Sequence, residues 1–448
     1  MLSFALRELG CTAGVVVTAS HNPPQYNGYK VYWEDGAQIT APKDKQIITE
    51  VQAITDFAQV KTMSEEDAKA AGLYEVIGEE IDDKYMEALK KLVLRPEAIK
   101  EQADKLKIVY TPLHGTGNIP VRRVLKELGF NNVYVVKEQE LPDGDFPTVS
   151  YPNPEDKKAF TLALKLAAEV DADIVLATDP DADRLGIYAK NEKTGEYESF
   201  TGNMSGMLIL EYLLSQRKEL GMLPENGAVV TTIVSGKMAR AIAKEYNVAL
   251  IETLTGFKYI GEQIKFFEQN HDHEFLFGYE ESYGCLEGTH ARDKDAVVAV
   301  MALCEAAAYY KSKGITLCQQ MEKLYQKYGF YKESLFFQTF PGAEGKAKID
   351  GLMDALRNQP PKQVGPFKVT ALEDYKKSVR IDIATGETSA LTLPESNVLY
   401  FELEDGAWFC VRPSGTEPKI KYYAGVKGTD AQDAADKLEA LSKAVVEL

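Results

Sequence analysis

Cysteine is scarce. Five residues, at positions 11, 285, 304, 318 and 410, form no Cys-x-x-Cys pair and no metal-ligand spacing, and their number is odd. That argues against a disulfide framework and a thiolate zinc site and points to reduced cytosolic thiols. Long apolar runs are also missing. The richest stretch, Ala296 to Tyr310, is interrupted by Glu305 and closed by Lys311. It falls short of the ~20 apolar residues of a membrane span, and a buried helix is expected there. Positive charge is in deficit: 51 Lys and Arg face 68 Asp and Glu, a formal net charge of -17. Such a surface repels nucleic acid and anionic membranes unless basic residues are concentrated locally. No basic-apolar-small leader opens the chain, and the expected location is cytoplasmic.

What is present is ordinary for a soluble globular protein: 45% hydrophobic and 27% charged residues over 448 positions. That length exceeds one core and suggests roughly three domains, or four small ones. Met1 to Gly10 has the pattern of an amphipathic helix with a glycine stop, but no turn or strand introduces it. A two-turn helix exposed at its own start is expected to fray, and the chain is expected to begin in mid-domain.

Strand-like and helical runs then alternate. Lys107–Tyr110, Val133–Val136 and Ile174–Ala177 read as strands around helices at Val121–Leu128 and Asp156–Glu169. This βαβαβ rhythm predicts parallel sheet with ligand sites beyond the strand C-termini. It repeats with strands at 228–234 and Val248–Glu252, a helix at Lys237–Tyr246, and another opened by Thr255-Gly256-Phe257-Lys258. After about Phe330 the stretches shorten, as in Leu391–Pro394 and Val398–Leu403, which predicts a smaller α+β domain. The expected domains are 1–100, 101–200, 201–325 and 326–448, and no low-complexity linker marks their boundaries.

Four short segments carry chemistry. The strand-like Val15–Val17 runs into Thr18-Ala-Ser-His-Asn-Pro-Pro, which delivers the hydroxyl of Ser20 into a proline-stiffened turn. Ser20 is a candidate nucleophile; the alternative is a strand-to-turn junction in which it bonds only backbone. Strand Ile174–Thr178 meets Asp179-Pro-Asp181-Ala-Asp183-Arg184, three carboxylates at alternate positions that suit magnesium. A solvated acidic turn is the other reading. A calcium EF-hand loop does not fit, because its sixth and twelfth positions would be Arg184 and Lys190 instead of glycine and glutamate. An aspartyl-phosphate site of the haloacid-dehalogenase type would leave Ser20 without a role.

The third segment, Gly278-Tyr-Glu280-Glu281-Ser282-Tyr-Gly284, is a glycine-bounded loop able to grip sugar hydroxyls, or an acidic surface turn. The fourth, Arg412-Pro-Ser414-Gly415-Thr416-Glu-Pro-Lys419, offers a guanidinium, two hydroxyls and backbone N–H groups to a phosphate, or is a plain turn.

In order and approximate spacing these four segments closely resemble the α-D-phosphohexomutases, in their phosphoglucomutase/phosphomannomutase branch. The resemblance implies three related mixed-sheet α/β domains, the first incomplete, plus a C-terminal TATA-binding-protein-like α+β domain around a central cleft. It implies Ser20 as the phosphoserine, Asp179, Asp181 and Asp183 as Mg²⁺ ligands with a phosphoserine oxygen, and Glu280 and Ser282 as sugar contacts. Arg412, Ser414, Gly415 and Thr416 would hold the phosphate that is not transferred. Lys30 matches the lysine proposed as general base in relatives, and His21 stands beside the nucleophile. Arg184, Gly256, Lys258, Lys294 and Arg412 would hold an anionic substrate inside an acidic protein, whereas His114 reads as a structural turn.

The implied reaction interconverts α-D-glucose 1-phosphate and glucose 6-phosphate through glucose 1,6-bisphosphate. Glu280-Glu281-Ser282 resembles the loop of glucose-preferring members; mannose and pentose phosphates stay open as alternatives. The partners implied are small sugar phosphates, with no nucleic acid and no membrane, in a monomer or a dimer. Relatives carry about a hundred residues before the position matching Met1. A first domain lacking part of its sheet is expected to expose an unpaired edge and an apolar face, and an inactive sugar-phosphate-binding relic is the alternative from another functional class.

Overall fold

The computed structural model describes residues 1–341, 344–414 and 418–448. The chain divides into two compact units, one of residues 1–230 and 256–318 and one of residues 231–255 and 319–448.

The first unit opens with the helix Leu2–Glu8, which buries Ser3, Phe4, Ala5 and Leu6. It is tied down, contrary to the expectation of fraying. The Ser3 hydroxyl donates to the Gly36 carbonyl at 2.6 Å and accepts the Arg292 N–H at 2.8 Å. Strand Ala13–Val17 pairs antiparallel with Tyr29–Trp33 in a two-stranded sheet, and the connection between them carries Ser20. Val17 is 75% exposed on this sheet and Val15 55%, and no residue from 41 to 80 is buried. The burial that fixes this region lies elsewhere, in Tyr32, Ala37 and the helix Glu79–Lys90 with its inward Ile81, Tyr85, Met86 and Leu89.

A five-stranded sheet follows, in the order Val133–Val135, Ile108–Thr111, Ile174–Thr178, Leu185–Lys190, Tyr197–Phe200. The first three strands are parallel, as the rhythm predicts, and the last two run antiparallel. The reversal has a covalent cause. Only Asp179–Arg184 separates Thr178 from Leu185, far too short for a crossover helix, so the chain must return as a hairpin. Val109, Val175 and Ala177 pack one face of this sheet against Phe160, Ala163 and Ala167.

A third group pairs Glu274–Tyr279 parallel to Gly227–Val230 and antiparallel to Cys285–Glu287. The helix Ala296–Ser312 is buried along nearly its whole length, as its composition predicts. Its Glu305 is satisfied in the core by the N–H groups of Leu94 and Arg95 and by the Tyr212 hydroxyl. Among the described residues no helix is long and apolar enough to cross a membrane.

The second unit centres on an antiparallel sheet in the order Phe330–Thr339, Lys419–Gly428, Trp408–Pro413, Leu399–Leu403, Phe367–Asp374, Val379–Asp382, Thr388–Ala390. Its core includes Met353 and Leu356 from the helix Gly345–Asn358, Leu441 and Val445 from the helix Ala431–Val446, and Leu372, Phe401, Phe409 and Ile420 from the sheet. Leu391–Pro394, expected as an alternating strand, lies outside the strands: pairing ends at Ala390, and Pro394 has no N–H to offer a ladder.

Candidate active site

The Ala13–Val17 strand releases the chain into a turn at Thr18, and Ser20 adopts the left-handed conformation with φ of 56°. For a residue with a Cβ this costs about 1–2 kcal/mol, and here it is held by Thr18, whose hydroxyl accepts the Ser20 N–H at 2.8 Å and donates to Asp181 Oδ2 at 3.1 Å. The turn therefore aims the Ser20 hydroxyl at the acidic loop. Ser20 Oγ lies 3.2 Å from Asp179 Oδ2, 3.4 Å from Asp181 Oδ1 and 3.2 Å from His21 Nδ1.

The acidic loop is a tight connection with Ala182 at φ of 57°. Asp179 is fully buried and its Oδ1 accepts the N–H groups of Asp183 and Arg184, both at 3.0 Å, which curls the loop around it. Ligand oxygens of Asp179, Asp181 and Asp183 lie within 4.8 Å of one another. Burial, then Asp181 and Asp183, push the Asp179 carboxyl well above the usual carboxylate range. A divalent cation would relieve that repulsion, and Asp183 Oδ1, buried and without a hydrogen-bond partner, is an acceptor left over for one. The donor set fits magnesium.

Two lysines supply the counter-charge. Lys30 Nζ is 2.9 Å from both Asp181 Oδ2 and Asp183 Oδ2, and Lys294 Nζ is 3.0 Å from Asp183 Oδ2. Burial opposes the charge of both, yet Asp183 and its neighbours outweigh it and raise each lysine above its ordinary pKa. For Asp183 the balance is reversed. Burial alone would raise it, and Lys294, Lys30 and Arg184 hold it well below the usual range. Arg184 is anchored at 2.9 Å to Glu155 and stays charged. A cavity of about 570 Å³ opens here, lined among others by Thr18, Lys30, Asp181, Asp183 and Lys294. That is large enough for a sugar phosphate.

Glu280 sits at the mouth of the Tyr279-to-Cys285 hairpin, closed by its own N–H bonding to the Gly284 carbonyl at 2.9 Å. It is only 7% exposed, which removes the acidic surface turn as a reading. Its Oε1 accepts the Gly256 N–H at 2.8 Å, so the sequence-predicted Gly256 lies beside it, at φ of 121°. Burial raises the Glu280 carboxyl, with Lys294 and Arg184 pulling the other way. Ser282 and Lys258 are half-buried, and Lys258 Nζ lies 5.1 Å from the Tyr259 ring.

Within the first unit the structure thus brings together Ser20, His21, Lys30, Asp179, Asp181, Asp183, Arg184, Gly256, Glu280 and Lys294. In the second unit, Arg412 is the penultimate residue of the Trp408–Pro413 strand, opposite Lys421, and the Ser414 N–H bonds the Lys419 carbonyl at 2.8 Å. Gly415 and Thr416 lie outside the described residues.

His114 is buried and bonds Thr148 at 2.8 Å. The glycine after it explains the His-Gly-Thr-Gly run: a Cβ at Gly115 would stand 2.4 Å from Pro180 Cα, so this loop buttresses the acidic one. Sequence reasoning missed Thr18, Tyr32 and Gln38. A hydroxyl two residues before the serine is a signal available for the first; the other two are bonded to the site only through Asp293, distant in sequence.

Known proteins match this chain over most of its length. Models of the phosphoglucomutase/phosphomannomutase family fit residues 1–57 (alpha/beta/alpha domain I), 83–194 (domain II), 201–328 (domain III) and 359–441 (C-terminal domain). A phosphoglucomutase of Staphylococcus epidermidis (strain RP62A) is 40% identical over 427 residues, 95% of this chain and 75% of the relative. Among solved structures, the open form of pp63/parafusin, a phosphoglucomutase from Paramecium, superposes with a TM-score of 0.67 at 18% identity, over 100% of this chain and 79% of that one. An Aspergillus fumigatus N-acetylphosphoglucosamine mutase, solved with GlcNAc-6P and magnesium, does so with a TM-score of 0.53 at 14% identity, over 99% and 91%. At these identities the two structures speak for the fold. Four domain models in order, joined to a relative of 40% identity along almost the whole chain, show that the chain belongs to the phosphoglucomutase/phosphomannomutase family.

Proposed function

We propose that the chain is a phosphoglucomutase that interconverts α-D-glucose 1-phosphate and glucose 6-phosphate, with Ser20 as the phosphorylated residue and glucose 1,6-bisphosphate as the intermediate. The observation that carries this reading is the strained Ser20, its hydroxyl 3.2 Å from Asp179 and 3.4 Å from Asp181. A relative that matches 95% of the chain at 40% identity and carries the name phosphoglucomutase supports the substrate class.

Phosphoserine 20 gives its phosphoryl group to a sugar hydroxyl: the bond from phosphorus to Ser20 Oγ breaks as one to the sugar oxygen forms. The sugar reorients, and the second phosphoryl group returns to Ser20. Lys30 Nζ, in its neutral form, takes the proton of the sugar hydroxyl as that oxygen attacks phosphorus, and returns a proton to the other sugar oxygen when that oxygen gives up its phosphoryl group to Ser20. Arg184 and Lys294 balance the charge of the phosphoryl oxygens, and Glu280 accepts hydrogen bonds from sugar hydroxyls. Magnesium, held by Asp179, Asp181 and Asp183, would neutralise charge on the transferring oxygens. Arg412 and Ser414, with Gly415 and Thr416, are assigned the phosphate that is not transferred.

Turnover of glucose 1-phosphate to glucose 6-phosphate, read by a coupled dehydrogenase with a trace of the bisphosphate, tests the reading directly. Peptide mapping should find a phosphate on Ser20, and chelation should stop turnover until Mg²⁺ is restored. A phosphate on Asp179 instead would transfer the reading to an aspartyl-phosphate mechanism.

A further inference from the structure

Tyr32 follows Lys30 by two positions in the Tyr29–Trp33 strand, so the two side chains leave the same face. Lys30 reaches Asp183, whereas Tyr32 reaches Asp293: its hydroxyl donates to Asp293 Oδ2 at 2.6 Å. Gln38 forms an isolated antiparallel bridge with Tyr32, and its Nε2 donates to the same oxygen at 2.8 Å. With two donors on Oδ2, the carboxylate cannot turn. Its other oxygen, Oδ1, is thereby fixed on Lys294, accepting the backbone N–H at 2.9 Å and meeting Nζ at 3.3 Å.

The lysine is confined on its other side as well. A Cβ at Gly284 would lie 2.2 Å from Lys294 Cδ, so the stem runs directly over the glycine of the Glu280 hairpin. The side chain is 8% exposed, and its ammonium ends 3.0 Å from Asp183. Tyr32 and Asp293 are themselves buried, and burial, then Asp293, keep the Tyr32 proton in place. Two neutral donors at one oxygen of a buried acid, whose other oxygen holds a buried cation at the reacting cluster, make a fixed lever.

We infer that Tyr32 and Gln38 are positioning residues for Lys294, acting through Asp293, and that this chain of bonds keeps the Lys294 ammonium where phosphoryl charge develops. The inference rests on the mutase reading for its kinetic consequence but not for its geometry. Holding a cation before the reaction lowers the reorganisation needed in the transition state, so loss of the lever should appear in kcat and leave KM nearly unchanged.

The test uses the full chain as wild type, Tyr32→Phe/Gln38→Leu, Lys294→Met and the combination. The double variant should lower kcat by about tenfold with KM within about twofold, and in the Lys294→Met background the same pair should cost less than about twofold. A purely structural role would cost the same in both backgrounds. A crystal structure of the double variant should show Lys294 Nζ displaced from Asp183. The inference is overturned if Nζ stays in place, if kcat is unchanged, or if the loss persists undiminished without Lys294. Should the wild type itself lack mutase turnover, the functional reading fails, and the crystal structure alone decides the positioning.

Discussion

Ser20 shows how one residue couples backbone strain to chemistry. Its left-handed conformation is stabilised by the Thr18 hydroxyl, which ties the turn to Asp181 in the same stroke. Under the proposed function Ser20→Ala should abolish turnover while leaving sugar-phosphate affinity within about tenfold, because in that cycle the hydroxyl is a covalent relay and not the main anchor. Steady-state rates and calorimetric titration of a sugar phosphate measure the two halves. Glu280 makes the complementary prediction. The Glu280 carboxyl lies beside Gly256, Lys294 and Arg184, and under the proposed function a buried hydroxyl of the sugar left unpaired would cost about 1–3 kcal/mol. Glu280→Ala should lower kcat/KM by about tenfold or more in both directions, and equally for glucose and mannose phosphates, which differ only at O2. A loss confined to one sugar would contradict contact through hydroxyls that the two sugars share.

At the scale of elements, glycines decide how closely loops approach the acidic turn. Gly115 lets the His114–Gly117 loop lie against Pro180, where the Thr116 N–H bonds the Pro180 carbonyl at 2.8 Å. Backbone stands in the way of a Cβ there, so Gly115→Ala must move the loop that carries Asp179, Asp181 and Asp183. We expect a loss of about 1–3 kcal/mol in stability, as for other overpacked sites, together with weakened Mg²⁺ response. Chemical denaturation and the metal concentration at half-maximal activity are the measurements. The hairpin of the second sheet obeys the same logic: its antiparallel return is dictated by the short acidic turn, and the return is what gathers three carboxylates at one sheet end.

For the whole molecule, stability should respond to pH through Glu287. It is buried in the strand Cys285–Glu287, and burial, only partly offset by Arg217, pushes its carboxyl up to about 8. Between the unfolded value of 4.5 and about 8 the folded state holds a proton that the unfolded chain has lost. The unfolded state then binds fewer protons, so this group makes stability fall as pH rises through that window, and the loss continues to the folded pKa. Glu287→Gln, which cannot ionise, should flatten that fall. Thermal melting from about pH 5 to 9 should show a smaller decline of Tm in the variant than in the wild type.

The sequence alone determined the local pieces: strand and helix positions wherever apolar periodicity was long, and the four segments whose residue types are chemically demanding. A hydroxyl at a strand end, three alternate aspartates and a glycine-bounded glutamate are legible because each needs its neighbours in the chain to exist. The exceptions are local too. Leu391–Pro394 alternates like a strand yet, beyond the bond from the Leu391 N–H to the Ser378 carbonyl, lies outside the strands, since pairing is a property of two segments. The Leu2–Glu8 helix looks prone to fray until Ser3 meets Gly36 and Arg292. Tertiary structure decided everything that joins distant residues: that Lys30 and Lys294, 264 positions apart in numbering, share one oxygen of Asp183, and that Tyr32 and Gln38 grip Asp293. Short-range patterns are set by covalent spacing, whereas charge balance inside a buried site depends on which groups burial forces together, and no segment carries that information by itself.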